Sequence, residues 1–176
     1  MQGQRESSIV PSDDFKQAMR HLAGGVTIIA TVHEGRRTGL AATAVCSVSA
    51  DPPTVLICIN AGASAHEPIR ESGRFSVNLL ASGQDDIARR FSGEMGIKGE
   101  ERFTVGTWAP LVTGAPVLES ALAGLDCRVT EMVRMATHSV FFGAVAGVAS
   151  RAAAAPLIYA HGTYGTFSPE DAGLWW

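Results

Sequence analysis

Alternating apolar and polar positions predict that this chain is built mainly from β-strands. β-Branched residues dominate segment 26–32, VTIIATV, and segment 74–80, RFSVNLL, alternates apolar with polar side chains. Segment 54–60, TVLICIN, is a strongly apolar run that belongs in the core. Pro52 and Pro53 precede this run, and proline lacks the backbone donor of a central strand. The run is therefore expected to begin as a strand at the proline pair.

The second half of the chain predicts longer strands. Segments 121–135 and 138–150 are rich in β-forming residues, and 155–168 closes the pattern. By contrast, segment 92–115 carries many glycine, proline and polar residues, which indicate a long surface excursion over the core.

Helical spacing occurs in three short places. Phe15, Ala18, Met19 and Leu22 repeat with the period of an amphipathic helix that Ser12 or Asp13 would cap and Gly24-Gly25 would end. Segment 85–91 is the second helix, and 66–72 supplies a helical turn or two. Six or more strands with three short helices and short connections predict a mainly antiparallel sheet curled into a small barrel.

Composition bounds the class of protein. A chain of 176 residues is long enough for one domain with its own core. The net charge is −3 and the basic residues are scattered, so a nucleic-acid partner is not expected. The sequence offers neither a long apolar span nor the apolar core of a signal peptide, so we expect no membrane insertion and a cytoplasmic location.

The titratable residues exclude several kinds of site. Three cysteines, Cys46, Cys58 and Cys127, form no CxxC pair and are expected to be buried thiols that act as small apolar residues. The five histidines lack metal-ligand spacing, so no metal site is predicted. A GxSxG elbow, a P-loop and a strand–helix alternation typical of dinucleotide folds are all missing from the sequence.

Small and hydroxylated residues are concentrated at 39–50, GLAATAVCSVSA. Thr43, Ser47 and Ser49 can hydrogen-bond a ligand without filling space, and the alanines leave backbone groups accessible. This pattern suits a flat, polar, anionic ligand. It is equally typical of a half-buried strand whose polar face meets solvent, so the residues alone leave both interpretations open.

The order of motifs resembles the flavin reductase family of two-component monooxygenase systems. The resemblance covers residues 13–169, and its most specific part is the SxSxxPP arrangement at 47–53, which follows a small-residue TA segment. It is supported by ERF at 101–103, HSVFFGAVAGV at 138–148 and PLIYAHGTYGTFSP at 156–169. Residues 1–12 and 170–176 are then expected to be tails.

The resemblance implies a fold and an activity. The fold would be an antiparallel Greek-key split β-barrel, the FMN-binding split barrel, with a few short flanking helices. The protein would be a homodimer that transfers hydride from NADH or NADPH to FMN or FAD and supplies reduced flavin to a separate oxygenase. Two alternatives keep the fold: a reductase of another acceptor such as a corrinoid precursor, and a flavin- or haem-binding protein without turnover.

Site residues are carried over by position. The family's flavin-binding positions correspond to Ala41, Ala42, Thr43, Ala44, Val45, Ser47, Val48, Ser49, Asn60, Ser64, His66, Phe91 and Ser92. Of these, Asn60, Ser64 and His66 would lie at the phosphate or adenine end, and Phe91 and Ser92 would close one side. The nicotinamide nucleotide would contact His138, Tyr159, His161, Gly162 and Tyr164.

His138 departs from the family's pattern. It resembles the histidine of a GDH motif on the nicotinamide side, but Ala136 and Thr137 precede it here. The aspartate that would fix its tautomer is missing, which leaves the orientation of the ring open. We expect His138 to position the nicotinamide, while a purely structural or solvated histidine is the alternative.

Overall fold

A computed structural model describes residues 10–151 and 154–167. Its helices are α1 Ser12–Met19, α2 His66–Ser72, α3 Asp85–Ser92 and a 3₁₀ helix at Gly99–Thr104. The strands of the first half are β1 Gly24–Gly25, β2 Thr27–His33, β3 Arg36–Ala42, β4 Val45–Ala50, β5 Pro53–Asn60 and β6 Arg74–Leu79. Those of the second half are β7 Trp108–Pro110, β8 Pro116–Leu118, β9 Ala123–Met135, β10 His138–Ser150, β11 Leu157–Ala160 and β12 Thr163–Thr166.

A seven-stranded antiparallel sheet organises the molecule. Its strands lie in the order β3-β2-β6-β9-β10-β5-β4, and a smaller sheet has the order β1-β11-β12. Within the described residues no strand pair joins the two edge strands β3 and β4, although only Thr43 and Ala44 separate them in sequence. The sheet therefore curls without closing, which confirms the predicted split barrel.

Two apolar clusters flank the central strands. On β2, Ile28 packs in a cluster with α3 and the 3₁₀ helix, whereas Ile29 packs in a second cluster with β5, α2 and β10. Both side chains are fully buried. β5 begins at Pro53 after a cis Asp51–Pro52 peptide bond, and its alternate residues Val55, Ile57 and Ile59 enter the second cluster. The predicted core strand at 54–60 is thus confirmed.

Buried polar side chains attach segment 111–118 to the sheet. Asn78 accepts a hydrogen bond from the Leu118 backbone N–H at 2.7 Å and donates one to the Ile28 carbonyl at 3.0 Å. Asp126 is fully buried and accepts hydrogen bonds from the backbone N–H groups of Val112 and Thr113, each at 2.7 Å. These bonds satisfy groups that burial would otherwise leave unpaired.

The interpretation of 92–115 as a surface excursion is wrong for part of that segment. Arg102 and Phe103 of the 3₁₀ helix are buried, as are Thr113 and Ala115. The Arg102 guanidinium donates to the Gly39 carbonyl at 2.6 Å, so this segment is attached to β3. Burial lowers the pKa of Arg102. A cation held by carbonyl groups leaves no apolar pattern in the sequence, which is why the sequence did not reveal it.

Two other expectations are corrected. Pro11 precedes α1 and no side chain caps the helix, so neither Ser12 nor Asp13 acts as predicted. Gly24 and Gly25 form a short strand paired with β11 instead of simply ending the helix.

The cysteines differ in their surroundings. Cys127 is buried, Cys58 is partly buried and Cys46 is exposed, so the expectation of three buried thiols is wrong. Burial raises the pKa of Cys127 to about 12, and this thiol therefore behaves as an apolar residue near neutral pH.

Replacing the buried carboxylate Asp126 is expected to destabilise the fold. Asp126→Ala leaves the backbone donors of Val112 and Thr113 buried and unpaired, which predicts a loss of about 3 kcal/mol in the free energy of unfolding. Urea unfolding measures this loss, with exposed Glu119→Ala as the control, which should stay within about 0.5 kcal/mol of the parent protein. A parent-like midpoint for Asp126→Ala would contradict the assigned role.

Candidate functional site

Three cavities meet at Thr43, in the gap between the edge strands. The α1 cavity, of about 780 Å³, lies between α1 and the turn at His161–Gly162. The tyrosine cavity, of about 190 Å³, has Tyr159 and Tyr164 in its wall. The apolar cavity, of about 300 Å³, reaches towards the aliphatic side chains of the sheet. Thr43 lines all three, and Tyr159 lines the first two.

The segment predicted to bind flavin forms much of these walls. Ala41, Ala42 and Ser92 line the tyrosine cavity, Ser47 lines the apolar cavity, and Val45 lines the α1 and apolar cavities. The other members of the segment lie elsewhere. The carbonyl of Ala44 accepts a hydrogen bond from Cys58 N–H at 3.0 Å, and Val48 is exposed at a bulge between Ser47 and Ser49.

The hydroxyl groups of this segment have different partners. Ser49 Oγ donates to the Asp51 carbonyl at 3.0 Å, and Ser92 Oγ donates to the Arg89 carbonyl at 2.8 Å. These two hydroxyls stabilise their own turns. The side chains of Thr43 and Ser47 have no hydrogen-bond partner among residues 10–151 and 154–167. Thr43 and Ser47 are therefore the hydroxyls available to a ligand.

Close backbone approach explains the small residues beside Thr43. A β-carbon added at Gly24 would lie 2.9 Å from the Thr43 β-carbon, closer than such atoms come in proteins. Gly24 and Gly25 both line the α1 cavity. Sequence reasoning assigned this pair only to the end of a helix, although two successive glycines are also the signal of a tight approach.

The hairpin of β11 and β12 supplies the opposite wall. Its turn residues His161 and Gly162 have φ values of 53° and 81°, a backbone conformation typical of tight hairpin turns. The rings of Tyr159 and Tyr164, both predicted nicotinamide contacts, lie 5.2 Å apart. The structure therefore brings the predicted nicotinamide residues of this hairpin against the predicted flavin segment.

Two charged residues at this wall were not predicted. Glu94 lines the tyrosine cavity and accepts a hydrogen bond from Arg89 at 3.2 Å. The Arg89 guanidinium lies over the Tyr164 ring, 5.0 Å from its centre. Burial, followed by the negative charge of Glu94, raises the pKa of Tyr164, so its phenol stays protonated as a donor at neutral pH. Arg89 and Glu94 lie at the end of α3, where charged residues are common, so the sequence did not indicate that they belong to a site.

His138 lines none of the three cavities and belongs to a separate group at the start of β10. It lies opposite Asn60 in the pairing of β10 with β5, and the Asn60 side chain accepts from Gly62 N–H at 2.8 Å. Thr137 Oγ1 lies 2.9 Å from His138 Nδ1, so a hydroxyl takes the place expected for the missing aspartate. A hydroxyl can donate or accept, and it orients the ring without fixing the tautomer.

The turn before His138 departs from the GDH motif at a second position, Ala136. Ala136 has a φ of 52°, in the left-handed region that a non-glycine residue adopts with strain. In the GDH motif that this turn resembles, glycine stands at this position. Alanine tolerates a left-handed backbone less well than glycine does.

Three predicted flavin residues are placed away from these cavity walls. His66 is buried, with Nε2 2.9 Å from Ser139 Oγ and Nδ1 3.0 Å from Glu67, so both ring nitrogens are already engaged. Ser64 is exposed just before α2. Phe91 is 1% exposed and packs against Phe103 and Trp108, so it supports β3 from behind instead of facing a ligand.

No group of three or more histidine, cysteine, aspartate or glutamate side chains in 10–151 and 154–167 is placed to hold a metal ion. In that same part of the chain, the helices all fall short of the length and apolarity needed to cross a membrane.

Comparison with known proteins matches this arrangement to a family. Residues 19–168 match the family described as "Flavin reductase like domain". The "FMN reductase (NADH) RutF" of Pseudomonas syringae pv. syringae strain B728a is 43% identical over 145 residues, which cover 82% of this chain and 80% of the relative.

Solved structures agree in fold. A nitrilotriacetate monooxygenase component B homologue from Mycobacterium thermoresistibile has a TM-score of 0.84 and 32% identity, covering 93% of this chain and 91% of that one. The Streptomyces globisporus C-1027 NADH:FAD oxidoreductase SgcE6, solved with NAD and FAD fragments, has a TM-score of 0.82 and 26% identity, covering 93% and 99%. With the family match over most of its length, the chain belongs to the flavin reductase like family.

Proposed function

We propose that this NAD(P)H:flavin oxidoreductase uses NADH to reduce FMN and passes the reduced flavin to a separate oxygenase. Support for NADH and FMN comes from the relative named FMN reductase (NADH), and support for an oxygenase partner comes from the neighbour that is a monooxygenase component. The reaction would take place in the cytoplasm, where NADH is supplied.

One observation carries the proposal: the two predicted ring-binding groups meet. The tyrosine cavity is shared by Ala41, Ala42 and Thr43 from the predicted flavin segment and by Tyr159 and Tyr164 from the predicted nicotinamide hairpin. Direct transfer between two rings needs them held at reacting distance, and the proposal is supported because residues of both predicted groups line one cavity.

The side chains of this site suit binding and orientation more than acid–base chemistry. When bound, FMN supplies the acceptor for the hydride of NADH, so the protein does not need a nucleophile of its own. Thr43 and Ser47, which line the cavities, would donate hydrogen bonds to a polar ring edge, while the small side chains of Ala41 and Ala42 would leave room for a flat molecule. Thr137 would hold His138 for contact with the nicotinamide amide.

We also propose a homodimer. The outer half of β9, residues 130–135, pairs with β10 on one side and with no other strand of the described residues. Met132, Val133 and Met135 are exposed there. An unpaired sheet edge with exposed apolar side chains among its charged ones favours pairing with another chain, and a second copy is the occupant proposed.

The proposed activity predicts that NADH bleaches FMN in the presence of the protein. Purified protein mixed with NADH and FMN without oxygen should reduce the flavin catalytically, followed by the loss of flavin absorbance. Protein-free mixtures are the control. If neither FMN nor FAD is reduced above this background, with NADH or with NADPH, the proposed function is wrong.

Removal of the available hydroxyl at the centre of the site is expected to weaken flavin binding. Thr43→Val keeps the shape of the side chain but deletes its hydrogen bond, which predicts an FMN dissociation constant about tenfold higher. Exposed Thr107→Val is the matched control and should bind FMN as the parent does. Fluorescence titration measures both, and equal affinities would place FMN away from Thr43.

The Thr137–His138 pair is expected to act on NADH rather than on flavin. His138→Ala should raise the KM for NADH about tenfold, and Thr137→Val, which leaves the ring unsupported, about fivefold. Thr137→Ser should restore the parent KM, and FMN affinity should stay unchanged throughout. A fall in kcat with an unaltered KM, or failure of the serine variant to rescue, would show that the bond does not position the nicotinamide.

A further inference from the structure

Glu94 places a negative charge in the wall of the tyrosine cavity. Within the part of the chain that the structure describes, it is the one charged residue that lines this cavity, together with Thr43, Tyr159 and Tyr164. Its side chain is 52% exposed, so the carboxylate is not enclosed in the core. Contact with a flat, uncharged ring would remove water from this carboxylate without replacing it, which costs free energy. The charge therefore favours a ligand that carries positive charge.

The cation paired with Glu94 lies outside this wall. Arg89 donates to Glu94 at 3.2 Å, but it lines a separate cavity of about 290 Å³ together with Asp85. Asp85 Oδ2 also lies 3.8 Å from Arg89 Nε. Two carboxylates thus share one guanidinium, which leaves the group with an excess of negative charge. Because the tyrosine cavity meets Glu94 and not Arg89, a cation is favoured there.

Two aromatic rings in the same wall also favour a cation. The rings of Tyr159 and Tyr164 lie 5.2 Å apart, and Tyr164 already holds the Arg89 guanidinium over its ring, 5.0 Å from the centre. Burial raises the pKa of Tyr164 most, and the negative charge of Glu94 raises it next. The field of the carboxylate therefore reaches this ring, and both groups act on the same space.

Hydride transfer from NADH produces a cation of the required kind. The step breaks the C4–H bond of the dihydronicotinamide and forms an N5–H bond on oxidised FMN. Both electrons of the broken bond leave with the hydrogen, so the nicotinamide becomes positively charged. The flavin takes up the opposite charge, which a proton from solvent can neutralise. A group that stabilises the positive nicotinamide lowers the barrier without binding NADH itself more tightly.

We propose that Glu94 stabilises the positive charge that develops on the nicotinamide during hydride transfer. NADH presents a neutral ring and NAD⁺ a cationic one, so the carboxylate favours the transition state and the oxidised product over the bound reductant. The ring faces of Tyr159 and Tyr164 add to this preference. The inference rests on the proposed function, because it assigns a role within that reaction.

The first test separates kcat from KM. Glu94→Gln removes the charge but keeps the size of the side chain and an acceptor for Arg89. It should lower kcat about tenfold and leave the KM for NADH within about twofold of the parent value. Glu94→Asp, which retains the charge, should recover at least half of the lost kcat. The matched control is Glu119→Gln, which neutralises an exposed carboxylate outside the three cavities and should alter neither constant.

A second measurement needs no turnover. Calorimetry on the FMN-saturated protein compares NAD⁺ with 1,4,5,6-tetrahydro-NAD, an uncharged analogue of NADH that cannot donate hydride. Glu94→Gln should raise the Kd for NAD⁺ about tenfold and leave the Kd for the uncharged analogue unchanged. If Glu94 only holds Arg89 in place, the two affinities change together or not at all. Either result, or a parent protein that fails to bind NAD⁺, overturns the inference.

Failure of this inference and failure of the proposed function give different results. If the parent protein never reduces flavin, yet Glu94→Gln weakens NAD⁺ alone, the proposed function is wrong and the charge preference of the cavity stands. If flavin is reduced and Glu94→Gln keeps the parent ratio of the two affinities, the inference is wrong and the function stands. If Glu94 faces the flavin instead, the variant changes the Kd for FMN and neither nucleotide affinity, which also overturns the inference.

Discussion

The missing pairing between β3 and β4 is the constraint on which the site depends. An edge strand exposes backbone donors and acceptors, and here both edges of the sheet approach each other at Thr43 and Ala44 without forming a ladder. The space left between them is what the three cavities share. Closure of the barrel by a direct β3–β4 pair would remove this space. The fold therefore provides the candidate binding site because the β3–β4 strand pair is not formed.

Buried polar side chains attach the 3₁₀ helix and segment 111–118 to the sheet that forms this opening. Arg102 attaches the 3₁₀ helix to β3 through the Gly39 carbonyl, while Asn78 holds β8 and Asp126 holds the segment that leads into it. The rings of Phe91, Phe103 and Trp108 pack against one another in the apolar cluster that contacts β3. Ala41 and Tyr164, which line the tyrosine cavity, pack against this same cluster, so the cavity wall is backed by the core.

Sequence patterns predicted the sheet and part of the site, for identifiable reasons. Runs of β-branched residues correctly predicted strands β2 and β5. The order of motifs pointed to the segment at 41–47 and the hairpin at 157–166, and residues of both line the tyrosine cavity. Arg102 was not predicted because its partner, the Gly39 carbonyl, is distant in sequence. Glu94 was not predicted because the cavity residues beside it, Thr43 and Tyr164, are distant in sequence. Likewise, His66 matched a motif position, while its two hydrogen bonds within the protein could be seen only in three dimensions.

The turn at His161–Gly162 contacts both the regularly paired β11–β12 hairpin and the exposed segment that contains α1. Its strands are paired residue by residue from Leu157 to Thr166, yet the helix attached to it through Arg20 buries none of its own residues. One wall of the α1 cavity is therefore part of a regular sheet, whereas no helix residue of the other is buried. Displacement of the outer wall alone would widen this cavity and leave the geometry around Thr43 and Tyr159 unchanged.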